Sequence, residues 1–239
     1  MKLGPNDQKR LNDQASTTTR VLSATAWRTN AELIAAIAPL YLTRDMHTVD
    51  VTYGNGKWWT LWRPDQLVAH DLDPTKGDGV DFTALPEADA TYDLAAFDPP
   101  YVATGGRTTQ GAAGVQMAHA FGMSSSGATP ADNQALIDAG LAELYRVLRP
   151  VARSSGRPRA GVALVKCQNY ITSGRLWPGV PRTIAAAEAQ GFRLEDIIEH
   201  LSAAGGPQPQ TNPDGTPRRQ MHTKRNNTTL LVLTKGPKP

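Results

Sequence analysis

The sequence predicts an α/β fold, and two observations carry that expectation. Short β-prone runs end abruptly in an acid or a glycine pair: His47-Thr48-Val49-Asp50 leading to Gly54 and Gly56, Leu67-Val68-Ala69-His70 leading to Asp71, and Leu94-Ala95-Ala96-Phe97 leading to Asp98. Around them, apolar residues recur at helical spacing, at Leu33, Ile34, Ile37, Leu40 and Tyr41 and again at Leu136, Ile137, Leu141, Leu144, Tyr145 and Leu148. In 239 residues a single core is the simplest expectation.

Composition excludes several classes. Net charge is +3 and the pI is near 9.1, a mild basic balance compatible with nucleic acid without requiring it. The single cysteine, Cys167, leaves no internal disulfide, and the five histidines do not fall at metal-ligand spacings, so no metal site is expected. No apolar stretch approaches the roughly 18 residues of a membrane span, and Met1 to Arg10 lack the apolar centre of a signal peptide. The expectation is a cytoplasmic protein with no membrane association.

Taken in order, residues 1–28 read as a polar arm, whose Lys2, Lys9, Arg10 and Arg20 are more readily solvated than bound to phosphate. Residues 29–239 then form one domain. Its first helix starts at Thr29 or Asn30, with Asn30 as N-cap, and is interrupted or ended near Pro39. The first strand opens into Gly54-Asn55-Gly56, where glycines let backbone approach a ligand closely; a plain hairpin turn is the other reading. After the second strand, Asp71 stands about 20 residues past the start of that run, the spacing at which an acid meets ribose hydroxyls. Asp73 is the second choice, and Asp71, Asp73 and Asp81 all read alternatively as ordinary turn acids, the commoner fate of an aspartate before proline or glycine. Gly79 to Pro86 reads as a third strand, but the link from Asp73 to Asp78 is far too short for a helical crossover, so that strand is either an abbreviated edge or trimmed away.

Asp98-Pro99-Pro100-Tyr101 is the stretch with the sharpest chemistry. Neither proline has an N–H for a ladder, so pairing stops and Asp98 is held at the carboxyl end of its strand, the edge where open α/β sheets bind ligands. A carboxylate and the Pro99 carbonyl supply two acceptors for the hydrogens of a nucleobase amine, turning its lone pair outward, and Tyr101 offers a stacking face. The plainer reading is a strand-terminating turn.

These residues resemble the Asp-Pro-Pro-Tyr motif of class I S-adenosylmethionine-dependent DNA amino-methyltransferases, enzymes that take the base out of the duplex before reacting. Asp50 to Gly56 is similar to their first motif, with Thr52 in place of a phenylalanine, and Glu143-Leu144-Tyr145-Arg146-Val147-Leu148-Arg149-Pro150 to a helix end common in such enzymes. The resemblance covers roughly residues 30 to 234. It implies a doubly wound, seven-stranded, mostly parallel Rossmann-like sheet with a final antiparallel strand, and S-adenosylmethionine as cofactor. It implies catalytic roles for Asp98, Pro99, Pro100 and Tyr101, and cofactor contacts from Asp50, Thr52, Tyr53, Gly54, Gly56, Asp71, Asp81 and Phe82, with Asp81 meeting the adenine amino group. An aspartate at the first position of the catalytic motif favours adenine N6 in that family. DNA is the expected partner and RNA the competing one. Cytosine N4 methylation and a non-catalytic nucleic-acid-binding module are the remaining alternatives.

The Gly/Ser/Thr-rich stretch 102–130 is expected as a loop, with Arg107 meeting phosphate, and 151–160 as a basic linker in which Arg153, Arg157 and Arg159 are solvated. Strands are expected at Gly161 to Lys166, Arg193 to His200 and Thr228 to Thr234, and a helix at Pro181 to Gln190. Lys166, Arg218, Arg219, Lys224 and Arg225, the last four in loop 202–227, complete the expected nucleic-acid contacts.

Overall fold

The computed structural model describes residues 28–100, 129–201, 211–216, 219–223 and 227–236. Helix α1 (Asn30–Tyr41) is capped by Thr29 rather than Asn30, because the Thr29 hydroxyl accepts from the Glu32 amide while the Glu32 carboxylate accepts from the Thr29 amide. Pro39 is exposed and sits in the last turn, so the helix passes it and ends at Tyr41. Strands β1 (His47–Asp50), β2 (Gln66–Ala69) and β3 (Leu94–Phe97) follow, then α2 (Pro130–Val147), opened by a Thr129 and Asp132 capping box. Next come the hairpin β4 (Ala152–Ser154) and β5 (Arg157–Ala160), strand β6 (Val162–Cys167), and the hairpin β7 (Tyr170–Thr172) and β8 (Arg175–Trp177). Helix α3 (Gly179–Gln190), β9 (Phe192–Leu201) and β10 (Asn227–Lys235) close the chain.

The main sheet has the order β2-β1-β3-β6-β10-β9. Its first four strands are parallel, and β10 runs antiparallel to both β6 and β9. Side chains alternate along the central strands: Leu94 and Ala96 of β3 join Leu164 of β6 and Leu33, Ile34 and Ile37 of α1, whereas Ala95 and Phe97 join Val165 and Ile137, Leu141 and Leu144 of α2. Helices therefore cover both faces, and the central strands read as unbroken apolar runs because neither face meets water.

The sheet has six strands among the described residues rather than the seven expected. Residues 79–86 form turns instead of a third strand, since the short link after Asp73 leaves no room for a crossover. Phe82 and Leu85 still enter the core. The segment is held in place by side chains. Arg146 of α2 donates to the carbonyls of Leu85 and Glu87 (2.9 and 2.6 Å) and to Asp89 (3.0 Å), while Glu143, itself gripped by Arg146, accepts from the Leu85 amide at 2.8 Å. On the other side, the buried His70 ring contacts Asp78 through Nδ1 (2.7 Å) and Glu87 through Nε2 (2.6 Å).

Two hairpins were not foreseen. Both turn on Ser-Gly pairs with positive φ, Ser155-Gly156 (50° and 79°) and Ser173-Gly174 (48° and 73°), the geometry of a two-residue hairpin loop. The first converts the expected linker into structure: Arg157 is half-buried and donates to the Ala38 (2.7 Å) and Leu42 carbonyls at the end of α1.

Replacing Arg146 with alanine removes this anchor and leaves the Glu143 carboxylate without its cationic partner, held by the Leu85 amide. We expect a loss of about 2 kcal/mol of stability in denaturant unfolding and faster amide exchange confined first to residues 79–91. Uniform loosening of the whole domain would contradict the assignment.

Candidate active site

The carboxyl ends of β1, β2 and β3 lie side by side, with β1 at the point where the strand order reverses, the place where open α/β sheets form a crevice. Each of the three strands delivers one carboxyl group there: Asp50, Asp71 and Asp98.

Asp50 is buried. Its Oδ2 accepts from the Trp59 indole N–H (2.7 Å) and its Oδ1 from the Thr52 amide (3.1 Å). Burial pushes its carboxyl up to about 7; the Trp59 and Thr52 hydrogen bonds oppose that rise, and the charges of Asp98 and Asp71 add to it. Past Asp50 the chain turns through Gly54 and Gly56 (φ 56° and 64°), left-handed backbone that glycine adopts without strain. The turn is sewn to β2: the Tyr53 amide donates to the His70 carbonyl (2.9 Å) and the Gly54 amide to Asp71 Oδ2 (2.7 Å). The Tyr53 ring lies on Gly56, where a Cβ would stand 2.4 Å from its hydroxyl, whereas among the described residues a Cβ on Gly54 would meet only the Thr52 carbonyl at 3.9 Å. The glycine turn is thus packed on the Gly56 side and open on the Gly54 side.

Asp71 is buried and uses one lone pair of each oxygen within the protein, accepting from the Gly54 amide and, through Oδ1, from the Asp73 amide (2.9 Å). Asp73 is occupied differently. Hydrogen bonds from Thr75, then Lys76, hold its carboxyl at about 2 and tie it into its own turn. Asp81 is exposed, and its Oδ1 accepts from the Thr83 amide and hydroxyl (2.8 Å each). Phe82 is a core side chain, with its ring 5.1 Å from that of Phe97.

Asp98 sits beside the glycine turn. Its amide, released from the ladder, donates to the Thr52 hydroxyl at 2.7 Å, so the residue that departs from the phenylalanine expected at that position ties the glycine turn to the Asp98-Pro99-Pro100 segment. The Asp98 carboxylate is 28% exposed; Oδ2 accepts from the Trp58 indole N–H (3.3 Å) and lies 4.0 Å from Lys166 Nζ. Burial pushes this carboxyl up, against the pull of Lys166 and Trp58. Pro99 and Pro100 are buried behind it.

One expected contact is corrected. Lys166 is only 5% exposed and points its ammonium at Asn30 Oδ1 (2.6 Å) and at Asp98, so it is not available to a phosphate backbone. Arg219 is exposed as expected, and Tyr101, Arg107, Arg218, Lys224 and Arg225 lie outside the described residues. Sequence reasoning missed Trp58 and Trp59, carried by a short 3-10 helix (Lys57–Trp59) that leaves Gly56, each indole donating to one of the site acids. The signal available was two adjacent tryptophans directly after a glycine turn. Among the described residues no cluster of potential metal ligands occurs, and no helix is long and apolar enough to cross a membrane.

No protein-family model matches the sequence, and no curated protein matches it. Solved structures do resemble it. A chain of the complex between the Haloferax volcanii Trm112 methyltransferase activator and its provisionally assigned methyltransferase is 13% identical, with 88% of this chain and 90% of that one covered at a TM-score of 0.53. A provisionally assigned methyltransferase of Bacillus halodurans is also 13% identical, covering 86% of this chain and 98% of that one at 0.51. A provisionally assigned DNA modification methylase of Thermus thermophilus is 16% identical, covers 66% of this chain and 49% of that one, and reaches only 0.34, too slight an overlap to bear on substrate. At these identities the likeness speaks to architecture alone: the chain has the class I methyltransferase fold, a doubly wound α/β sheet that is mostly parallel with an antiparallel strand near one edge.

Proposed function

We propose that the protein is an S-adenosylmethionine-dependent methyltransferase that modifies an exocyclic amino group of a DNA base, adenine N6 in the first place. The observation that carries this reading is the Asp98 carboxylate at the end of β3, joined through its amide to the first-motif turn and followed by the two buried prolines.

The residues around the turn fit the cofactor. Gly54 offers an open backbone face, and Asp71 keeps unused lone pairs on both oxygens at the end of β2, where ribose hydroxyls would be received. Asp73, spent on its own turn, is the weaker candidate. When bound, S-adenosylmethionine supplies a methyl group made electrophilic by its sulfonium.

The protein's part is alignment and proton handling. Asp98 accepts one amine hydrogen through its carboxylate and the Pro99 carbonyl, which accepts no hydrogen bond among the described residues, takes the other. Held between two acceptors, the nitrogen projects its lone pair away from them. As nitrogen gains the methyl group it sheds one proton, for which Asp98 is the adjacent base. Asp50 stays behind the turn, where the Trp59 indole and the Thr52 amide fix the backbone that carries both glycines.

Incubating the full chain with labelled S-adenosylmethionine and matched DNA and RNA substrates, then identifying the modified nucleoside, tests the reading; N6-methyladenine in DNA is expected. Asp98→Ala should lower transfer by about 10²–10⁴-fold while leaving cofactor affinity within a few fold. Strong residual transfer would sink the assignment. Asp71→Ala should weaken S-adenosylmethionine binding by about tenfold or more in calorimetric titration, and Asp73→Ala by no more than about threefold. The reverse order would move the ribose contact to Asp73.

A further inference from the structure

Lys166 occupies an unusual position. It is the fifth residue of β6, and the parallel register that pairs Phe97 with Val165 brings Asp98 alongside it. The alternation Val162, Leu164, Lys166 turns its side chain toward the α1 face, where its aliphatic stem is buried with the core. Burying an ammonium is costly unless oxygens receive it. One receiver is Asn30, the first residue of α1, yet a helix start carries the positive end of the dipole and disfavours a cation. The compensating charge comes from Asp98, which among the described residues is the one carboxylate within 4.0 Å of Nζ. The Trp58 indole N–H reaches the same Asp98 oxygen from the 3-10 helix.

Resting on the methyltransferase reading above, we infer that Lys166 and Trp58 are positioning residues that jointly hold Asp98 Oδ2, keeping the carboxylate charged and leaving Oδ1 to meet the substrate amine. Among the described residues Oδ1 has no partner, so the division of labour between the two oxygens is already in place. Charge works in the same direction: burial raises the Asp98 carboxyl, and the lysine opposes it.

The other titratable groups facing this pair do not replace that role. Asp50, from β1, is itself an acid that disfavours ionisation of its neighbours. Cys167, the next residue along β6, has its thiol pushed up by burial, with Glu199 and Asp98 adding to the rise. His200 of β9 is pushed down by burial and by Lys166, with Nδ1 on the Thr228 hydroxyl at 3.2 Å, so it brings no second cation. Glu32, near the start of α1, is turned to the Arg28 and Thr29 amides.

The test uses the full chain as wild type, Lys166→Met, Lys166→Arg and Trp58→Phe. The Asp98 carboxyl is titrated by carbon NMR, with Asp98→Asn identifying its signal and Asp50→Asn separating the neighbouring acid, and the pH profile of kcat/KM for methyl transfer is recorded alongside. Removing an opposite charge at this range is expected to raise the Asp98 midpoint by about one pH unit or more in Lys166→Met. The acid limb of kcat/KM should move up by the same interval, so that activity falls about tenfold there and much less on the alkaline plateau. Lys166→Arg should recover most of the shift, and Trp58→Phe should show a smaller one of the same sign. An unchanged Asp98 titration in folded Lys166→Met overturns the inference; if that variant does not fold, an unchanged midpoint in Trp58→Phe does so. Absence of methyl transfer by the wild type would defeat the functional reading alone, because the carboxyl titration reports on Lys166 without turnover.

Discussion

The 2.7 Å hydrogen bond from the Asp98 amide to the Thr52 hydroxyl joins segments 46 residues apart, and the organisation of the site depends on it. Parallel pairing of β1 with β3 brings the two strand ends to the same level, with Asp50 opposite Ala96. Beyond that point the ladder cannot continue through Pro99, so the last amide needs another acceptor. A phenylalanine at position 52 would leave that amide without the side-chain oxygen that threonine provides. The site therefore gains a covalently stiff carboxylate, fixed by proline after it and by a hydroxyl before it.

Shortening the sheet has been matched by side-chain anchoring. A third strand would have fixed the chain after Asp73 through its ladder. Here that task falls to His70 and Arg146, which grip residues 78–89 from opposite sides. The same segment inserts Phe82 and Leu85 into the core, which anchors it without an additional strand. Helix α2 presses closely here, since a Cβ at Gly140 would stand 2.5 Å from the Phe97 ring. Strand β3, the bearer of Asp98, is thereby braced from behind.

Much of this was legible in the sequence because the central strands are buried on both faces and end at residues that forbid continuation. Leu94 to Phe97 followed by two prolines, and Val49-Asp50 followed by glycines, are statements of local chemistry that tertiary contacts do not overrule. The hairpins were harder: their strands are three or four residues long, too short for a clear apolar alternation, leaving the Ser-Gly pairs as the main signal. Lys166 misled for a different reason. A cation at the end of an apolar strand reads as solvent-facing, yet its alternation with Val162 and Leu164 assigns it to a buried face, and the acid that neutralises it comes from the end of β3, far earlier in the chain. The indole donors of Trp58 and Trp59 could not be aimed from sequence, because their targets depend on where the 3-10 helix lands.

The far margin of the sheet has its own consequence. Strand β9 is ten residues long and, among the described residues, pairs with β10 alone, which makes it a natural template for adding a foreign strand. Opposite the register shift between Val232 and Leu233, Glu195 is an unmatched residue, and Arg193, Asp196 and Glu199 set further charges along the same strand. A bulge that bends the border and formal charges spaced along it both penalise docking of another chain's backbone. The long border is thereby protected against fibre-like polymerisation at high protein concentration.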